Sequence, residues 1–477
     1  MPARRSLWHN RVMKFFSSLQ FAVIVILSLT LALIVATVLE SKFDTPTAQY
    51  FVYQSIWFRL ILLALGINIF VVAVSRWPWK RHHLAFLLAH AGILLLLGGS
   101  WVTQRYGLDG SMRLAEGQAT SVVDLQEPVL FMMDGTRVET VPIGWRPPTV
   151  SFTPQTVKNY PLRVEEFLTH ADPDVSFVAL PEREAGTKLP ALLLRVQGGP
   201  MRIVQDYWLW TGHTQFSSVQ AGPSWLTLEA GTITPPAPRT AGPRFFASIG
   251  GDGSLKWIAF SSTGKKVSGH FATGKAEGQV LHPGWRGDVT LTLVKVLADA
   301  TADTRYVASR VQYGNQAPSS AIRIVTTEGP VANSMWLGLG ERGSLEIAGK
   351  EVGLAYLPRR VVLPFQIQLD QFQIDRYAGT RDPSAYWSRV QIPGKETVSK
   401  SIKISMNEPL HEGGITFYQA SYEDADPRPT VSILSVNRDP GRAMKYAGSL
   451  LLVAGCVFLF YQKLKNAKPA RVRQEVV

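Results

Sequence analysis

A single histidine, His90, lies inside an otherwise apolar run, LAFLLAHAGILLLLGGSWV (84–102), which follows the basic and aromatic shoulder RWPWKRHH (76–83). An ionisable side chain within a bilayer is expensive, and where one occurs it marks a candidate functional site. A neutral imidazole there can ligate haem iron or another metal through one nitrogen while the other nitrogen takes a hydrogen-bond partner. It can also bond a neighbouring helix to fix packing, or relay a proton. At 1.5 Å rise per residue His90 sits about 9 Å from the edge at Leu84 and about 18 Å from the edge at Val102. His83 precedes it by seven residues and so shares its helix face. With His82 it forms an interfacial shoulder, a candidate entry point for a haem carboxylate or a second ligand, against the plain alternative of two solvated side chains. Gly92, Gly98 and Gly99 would let another helix approach closely, which is a packing role.

Elsewhere the chemistry-bearing residues are sparse. His170, His213, His270, His282 and His411 show no metal-pair spacing and read as surface residues. The run Tyr207–Trp210 (YWLW) suits a strand core as well as a ligand platform. Glu423, Asp424 and Asp426 form a small acidic turn, read as solvated. No nucleophile elbow, P-loop, HExxH or dinucleotide fingerprint is present. The lone cysteine, Cys456, excludes a disulfide framework, a CxxC redox pair and a CxxCH haem-attachment motif.

The elements that must hold His90 are apolar blocks of membrane length. Leu19–Leu39, Trp57–Val74 and Leu84–Val102 precede residue 103, and Tyr446–Tyr461 closes the chain. The first block is too long for a secretory signal, and LESKFD is a poor cleavage site, so it reads as a retained span. Glu40–Ile56 reads as a short polar loop, and Pro78 forces a turn between the second and third spans. Arg59, one turn inside its span, can snorkel outward.

The formal charge of +13 would ordinarily raise nucleic acid as a partner. Its location argues otherwise. Residues 1–16, residues 76–83 and the tail after 462 carry twelve of the positive charges against one negative. Short flanks rich in Lys and Arg are the positive-inside signal, and all three agree with one topology: both termini cytoplasmic and the large middle region outside. In a bacterium that places the chain in the inner membrane with a periplasmic domain.

That middle region has a β texture. Runs at 191–196, 289–297, 321–327, 364–374, 401–406 and 431–436 alternate or are β-branched, and Gly, Pro, Asp and Asn clusters separate them. The expected fold is therefore an integral membrane protein with four transmembrane α-helices, three N-terminal and one C-terminal, and a large β-rich extracytoplasmic domain. Its expected parts are a basic N-terminus (1–18), a three-helix region (19–103), the β-rich domain (104–443), a fourth span (444–462) and a basic tail (463–477). Pro235–Pro243 marks a sub-boundary within the β-rich part.

The segment NEPLHEGGITFYQASYED (407–424) resembles the ResB, or CcsB, family of cytochrome c biogenesis proteins. The matching residues are Asn407, Pro409, Leu410, Gly414, Phe417, Tyr418, Gln419, Ser421 and Tyr422. Residues 363–390, ATVLES (36–41) and LLAHAGILLLLGG (87–99) also resemble the family, whereas about 140–350 matches only in texture. The His411–Gly414 run departs from the family's spacing. The resemblance implies a role in the type II cytochrome c maturation system. A ResB-like chain works there with a multi-span CcsA/ResC-like partner carrying a tryptophan-rich WWD segment. Together they carry haem b outward and support its attachment to apocytochrome c. By position His90 corresponds to the family's membrane histidine, an axial haem ligand. This chain has no WWD segment, so the resemblance makes it a component of a haem-lyase complex and not an enzyme alone. Two other readings stand beside it. One is a structural anchor whose β domain chaperones apocytochrome or the partner without binding haem. The other is a b-type redox subunit, which would need more intramembrane histidines than His90 alone.

Overall fold

The computed structural model describes residues 11–466, apart from 136, 181–187, 200–202, 234–241, 312, 314–317, 329–332, 348, 381, 395–400 and 424–430. Four of its helices are long and apolar enough to cross a membrane. They are α1 (Leu19–Lys42), α2 (Ile56–Ser75), α3 (Leu84–Tyr106) and α4 (Arg442–Asn466). Ser18 and Ser55 start the first two, each side chain accepting from the backbone N–H three residues on. A β-rich region lies between α3 and α4, so the fold class is the one expected: a membrane protein with three spans, a large β region and a fourth span.

Two boundaries differ from expectation. The fourth helix outruns 444–462, because polar turns bearing Arg442 and Lys445 at one end and Lys463 and Lys465 at the other continue it. Long cationic side chains can extend a helix past the hydrocarbon edge. The loop expected between the first two spans is partly helical, with turns at Thr45–Ala48 and Gln49–Tyr53. Asp44 caps the first of these by accepting from Thr47 N at 2.8 Å, and Pro46 follows at the start of the turn, where its missing N–H costs nothing.

The chain divides into two compact units, one running up to His170 and resuming at Ser309, the other Ala171–Ala308. The first contains the spans and a large sheet. Along that sheet the hydrogen-bonded order is β5 (Ile402–Ile404), β4 (Pro383–Gln391), β3 (Lys350–Arg376), β2 (Ala119–Asp134), β1 (Leu108–Ala115), β8 (Val431–Arg438), β7 (Ile415–Glu423) and β6 (Leu410–Glu412). Strands β2 and β3 are long enough to serve two cores. Val123 and Leu125 join Leu363, Ile367 and Leu369 in one core, and Leu130 and Met132 join Val352, Leu354 and Tyr356 in the other. On both strands the buried positions change between odd and even numbers. The ladder is irregular between Asp124 and Pro128, where Pro128 faces Pro358. Proline donates nothing to a ladder, and an irregularity there shifts which side chains face inward. The second core is closed by the strands Leu162–Leu168, Ala321–Thr326 and Ser334–Gly338. Tyr356 is fully buried there, with its hydroxyl 2.8 Å from Ser320 Oγ, and burial pushes its pKa up to about 12 against the opposing effect of that hydrogen bond.

The second unit holds a five-stranded sheet and a four-stranded sheet that share one core, including Leu192, Leu209, Phe245, Trp257 and Leu291. YWLW lies in the strand Ile203–Trp210. Trp208 and Trp210 pack on Phe177 at 5.3 and 5.1 Å, whereas Leu209 points into the shared core. The period of two thus explains that run as strand core. Of the expected sub-boundary at 235–243, residues 235–241 lie outside the described residues. The strands on either side, Ser224–Glu229 and Arg244–Ile249, pair in parallel.

The seam between α3 and α4 is built on glycine. A Cβ on Gly92 would stand 2.6 Å from Gly448 O and Leu452 N, and one on Gly448 would stand 2.7 Å from Gly92 O. Further along, Gly99 and Gly441 meet, and Gly455 meets Ala85 and Ala89, so the helices run antiparallel with backbones in contact. Gly98 is different: its Cβ would find only the flexible Met444 Cε, at 3.4 Å. Overpacking a tight interior costs about 1–3 kcal/mol, and backbone atoms cannot yield as side chains do. Gly92→Ile is therefore expected to lower the thermal unfolding midpoint in detergent by several degrees or more, while Gly98→Ala leaves it unchanged within error.

Candidate functional site

His90 sits half-buried on α3. Its ring lies against the Phe86 ring, with centroids 3.8 Å apart, and the Arg76 guanidinium carbon lies 3.7 Å from the Phe86 centroid. The Nδ1 of His90 is 2.9 Å from Phe86 O. A carbonyl oxygen only accepts, so Nδ1 carries the proton and the Nε2 lone pair is left available. No described residue bonds Nε2. This is the state in which an imidazole binds a metal: one nitrogen fixed by a backbone carbonyl, the other free to coordinate. Haem iron therefore fits the donor that His90 presents.

The orientation of His90 follows from helix geometry. Ala85, Ala89, Gly92 and Gly99 are buried on α3 and form its side of the glycine seam. At about 100° per residue His90 points roughly 140° away from the middle of that stripe. It thus faces away from α4.

His83 lies in the 3₁₀ turn Arg81–His83, where its Nδ1 accepts from Lys80 N at 3.3 Å and its ring meets His82 at 4.1 Å. The shared-face expectation from the spacing of seven does not produce a His83–His90 contact. Phe86 fills the space beside His90 instead, and Arg76 covers it from before the turn. Sequence reading had no signal for that stack, since the Trp77–Pro78 turn decides where Arg76 folds back.

Three of the five outer histidines make local hydrogen bonds, and His270 and His282 are exposed. His170 Nδ1 lies 2.7 Å from Pro318 O, His213 accepts from Gln215 N, and His411 pairs with Thr416. Among the described residues no group of three or more metal-binding side chains occurs. Glu423 pairs with Arg113, while Asp424 and Asp426 lie outside the described residues.

The motif residues 407–422 form a hairpin and its approach. Asn407 is exposed in a bend, Pro409 is half-buried and Leu410 is buried. Gly413 and Gly414 form the two-residue turn between Glu412 and Ile415, both with positive φ (58° and 75°), the geometry that glycine pairs favour. Phe417 is fully buried against Phe365, with centroids 6.1 Å apart, and Tyr418 beside it is half-buried. Gln419 is 2 % exposed. Its Oε1 accepts from Ser388 Oγ at 2.6 Å, its Nε2 donates to Ser421 O and Ser432 Oγ, and the two serine hydroxyls lie 2.7 Å apart. Ser388 is on β4 and Gln419 on β7, with four strands between them along the ladder. The sheet therefore curls until its ends meet, and this network closes it. Tyr422 packs outside, against Phe372 and Tyr386.

A last cluster joins membrane and sheet. Asp439 accepts from Thr103 Oγ1 at 2.5 Å and from Lys445 Nζ at 2.7 Å, bridging the end of α3 to the start of α4. Burial raises the Asp439 pKa, but the hydrogen bonds from Lys445 and Thr103 and the nearby cations outweigh it, so the carboxyl titrates below its ordinary range.

One part of the chain, which includes the hairpin motif, is similar to a known family. The model of the ResB-like family matches residues 335–433. This region is ResB-like. Protein NrfI of Wolinella succinogenes is 38% identical over 119 residues, which is 25% of this chain and 13% of that protein. The chain thus spans a small part of the relative's length. The ResB-like region holds β3 to β7, Ser388 and the whole of the motif but not His90, so the likeness read from the motif is borne out while the histidine lies on a span outside the matched residues.

Two outcomes follow. Gln419→Leu keeps the size but removes the bonds that close the sheet, and is expected to cost about 1–3 kcal/mol in chemical denaturation. Asp439 has a depressed folded-state pKa, so its contribution is present above the unfolded value of about 3.9 and is lost as pH falls through the folded value. The midpoint difference between the parent and Asp439→Asn should therefore be largest near neutral pH and shrink below about pH 4.

Proposed function

We propose that this chain is a membrane component of cytochrome c biogenesis that holds haem b at His90 while it passes outward, in company with a multi-span CcsA/ResC-like partner, for attachment to apocytochrome c. The reading rests on one observation above all: an imidazole on an apolar span, with Nδ1 tied to Phe86 O and Nε2 unbonded by any described residue. The likeness of residues 335–433 to the ResB-like family supplies the biological context.

The physical argument is consistent with this cargo. Haem has an apolar ring and two carboxylates, and a span can shelter the ring while a neutral imidazole takes the iron. Phe86, against the His90 ring, fixes the imidazole, and Arg76 above it supplies positive charge on the side of the basic shoulder. His83, in the adjoining turn, is the candidate first contact at the haem entry. The basic flanks support an inner-membrane topology with both termini cytoplasmic and the β-rich region periplasmic. In this reading the attachment chemistry falls to the partner that carries the WWD segment.

The test is the visible spectrum of the chain purified together with its multi-span partner. His90→Ala should lose most of the Soret absorbance, and added imidazole should restore part of it. His83→Ala should keep the band but load more slowly. Full absorbance in His90→Ala would overturn the ligand role and leave the anchor reading, in which the β region braces its partners without touching haem.

A further inference from the structure

A cleft of about 1030 Å³ opens between α2 and α3. Its walls are apolar, with Leu63, Ile67 and Phe70 from α2 and Leu94 and Leu97 from α3. Leu94, Leu97 and Trp101 follow His90 by four, seven and eleven residues, so the cleft continues along the α3 face that carries the histidine, away from the glycine seam. Its rim lies at the end of both helices nearest the β-rich region. Three cations line it: Arg59 in the first turn of α2, Arg105 in the last turn of α3, and Lys445.

The three cations are not equivalent. Lys445 is paired with Asp439 at 2.7 Å. Arg59 has no side-chain partner among the described residues, and Arg105 has only the Tyr106 ring, 5.6 Å from its guanidinium carbon. Two unpaired guanidinium groups above an apolar slot complement a molecule with an anionic oxygen head and a hydrocarbon body. Guanidinium forks match phosphate oxygens in pairs, which a simple point charge does not. The described residues lining the cleft include no histidine, methionine or cysteine, so they offer iron none of its commonest axial ligands.

We propose that this cleft is a binding site for one anionic phospholipid of the leaflet facing the β-rich region. Arg59 and Arg105 hold the phosphodiester, and an acyl chain lies between Leu63, Ile67 and Leu97. The lipid fills the gap between α2 and α3 that direct helix contact leaves open. The site is independent of the haem reading, since it shares a helix face with His90 but none of its contacts.

The experiment uses the full chain purified in mild detergent, with thermal unfolding followed as dioleoylphosphatidylglycerol, dioleoylphosphatidylcholine or inorganic phosphate is added. The phosphatidylglycerol should raise the midpoint saturably, and native mass spectrometry should show one bound copy. Phosphatidylcholine and free phosphate should not reproduce the shift. Arg59→Gln with Arg105→Gln should raise the half-saturating phosphatidylglycerol concentration at least tenfold. Gly66→Phe gives a second route with both arginines intact. A Cβ at Gly66 meets only Leu97 Cδ1, at 3.8 Å, so the ring enters the cleft and should abolish the bound copy. An undiminished response in both variants, an equal response to phosphatidylcholine, or haem lost in place of lipid from the arginine variant would overturn the proposal. So would a Leu63→Cys cross-link to a partner protein, which would assign the cleft to a foreign helix.

Discussion

The first unit depends on the contact between α3 and α4. Glycines seven residues apart, Gly92 and Gly99 on α3 and Gly448 and Gly455 on α4 with Gly441 just before it, bring the two backbones together. In lipid there is no hydrophobic drive to associate apolar helices, so close packing of small residues carries the attraction. The contact does not stop at the membrane. α3 leads into β1 through Gly107, α4 follows β8, and β1 and β8 pair antiparallel from Leu108↔Arg438 to Ala115↔Val431. Asp439, Thr103 and Lys445 bind the corner where helix pair becomes strand pair. Two segments separated by more than 300 residues thus run side by side from the span into the sheet, and a displacement of one must be shared by the other.

That seam also sets what the rest of α3 can do. A helix that commits one face to backbone contact has the opposite face free. On α3 this free face carries His90 towards the basic shoulder and the cleft with Arg59 and Arg105 at the other end. Chemistry and packing are separated by rotation around one helix. His90 can therefore be held in a defined orientation, by Phe86 and its own backbone, without being used as an interhelical hydrogen bond.

The motif that identifies the ResB-like region has a different task from the histidine. Phe417 and Gln419 point inward, and Gly413 with Gly414 turns the chain tightly enough for β6 to pair with β7. Gln419 reaches Ser388 across the curled sheet. A buried amide must have its bonds satisfied, and a network that satisfies it from three strands specifies one closure of the sheet among many. The motif residues are mainly framework. The side chains proposed to meet a ligand, His90 and the two arginines of the cleft, are exposed or half-buried ones on the spans.

The sequence by itself determined the number of spans, their order around a β region and the strand runs, because membrane length and period-two alternation are local properties of a chain. It also determined that His90 is the ionisable residue of its span. Tertiary structure decided the rest. Which glycines touch a partner depends on helix rotation and on a segment far along the chain, so Gly98 and Gly99 look alike in sequence and differ in space. Arg76 over Phe86, Ser388 beneath Gln419 and Thr103 against Asp439 are pairings made by folding, and nothing in the spacing of their residues announces them. Local periodicity fixes which face of an element is apolar; only long-range packing fixes what that face meets.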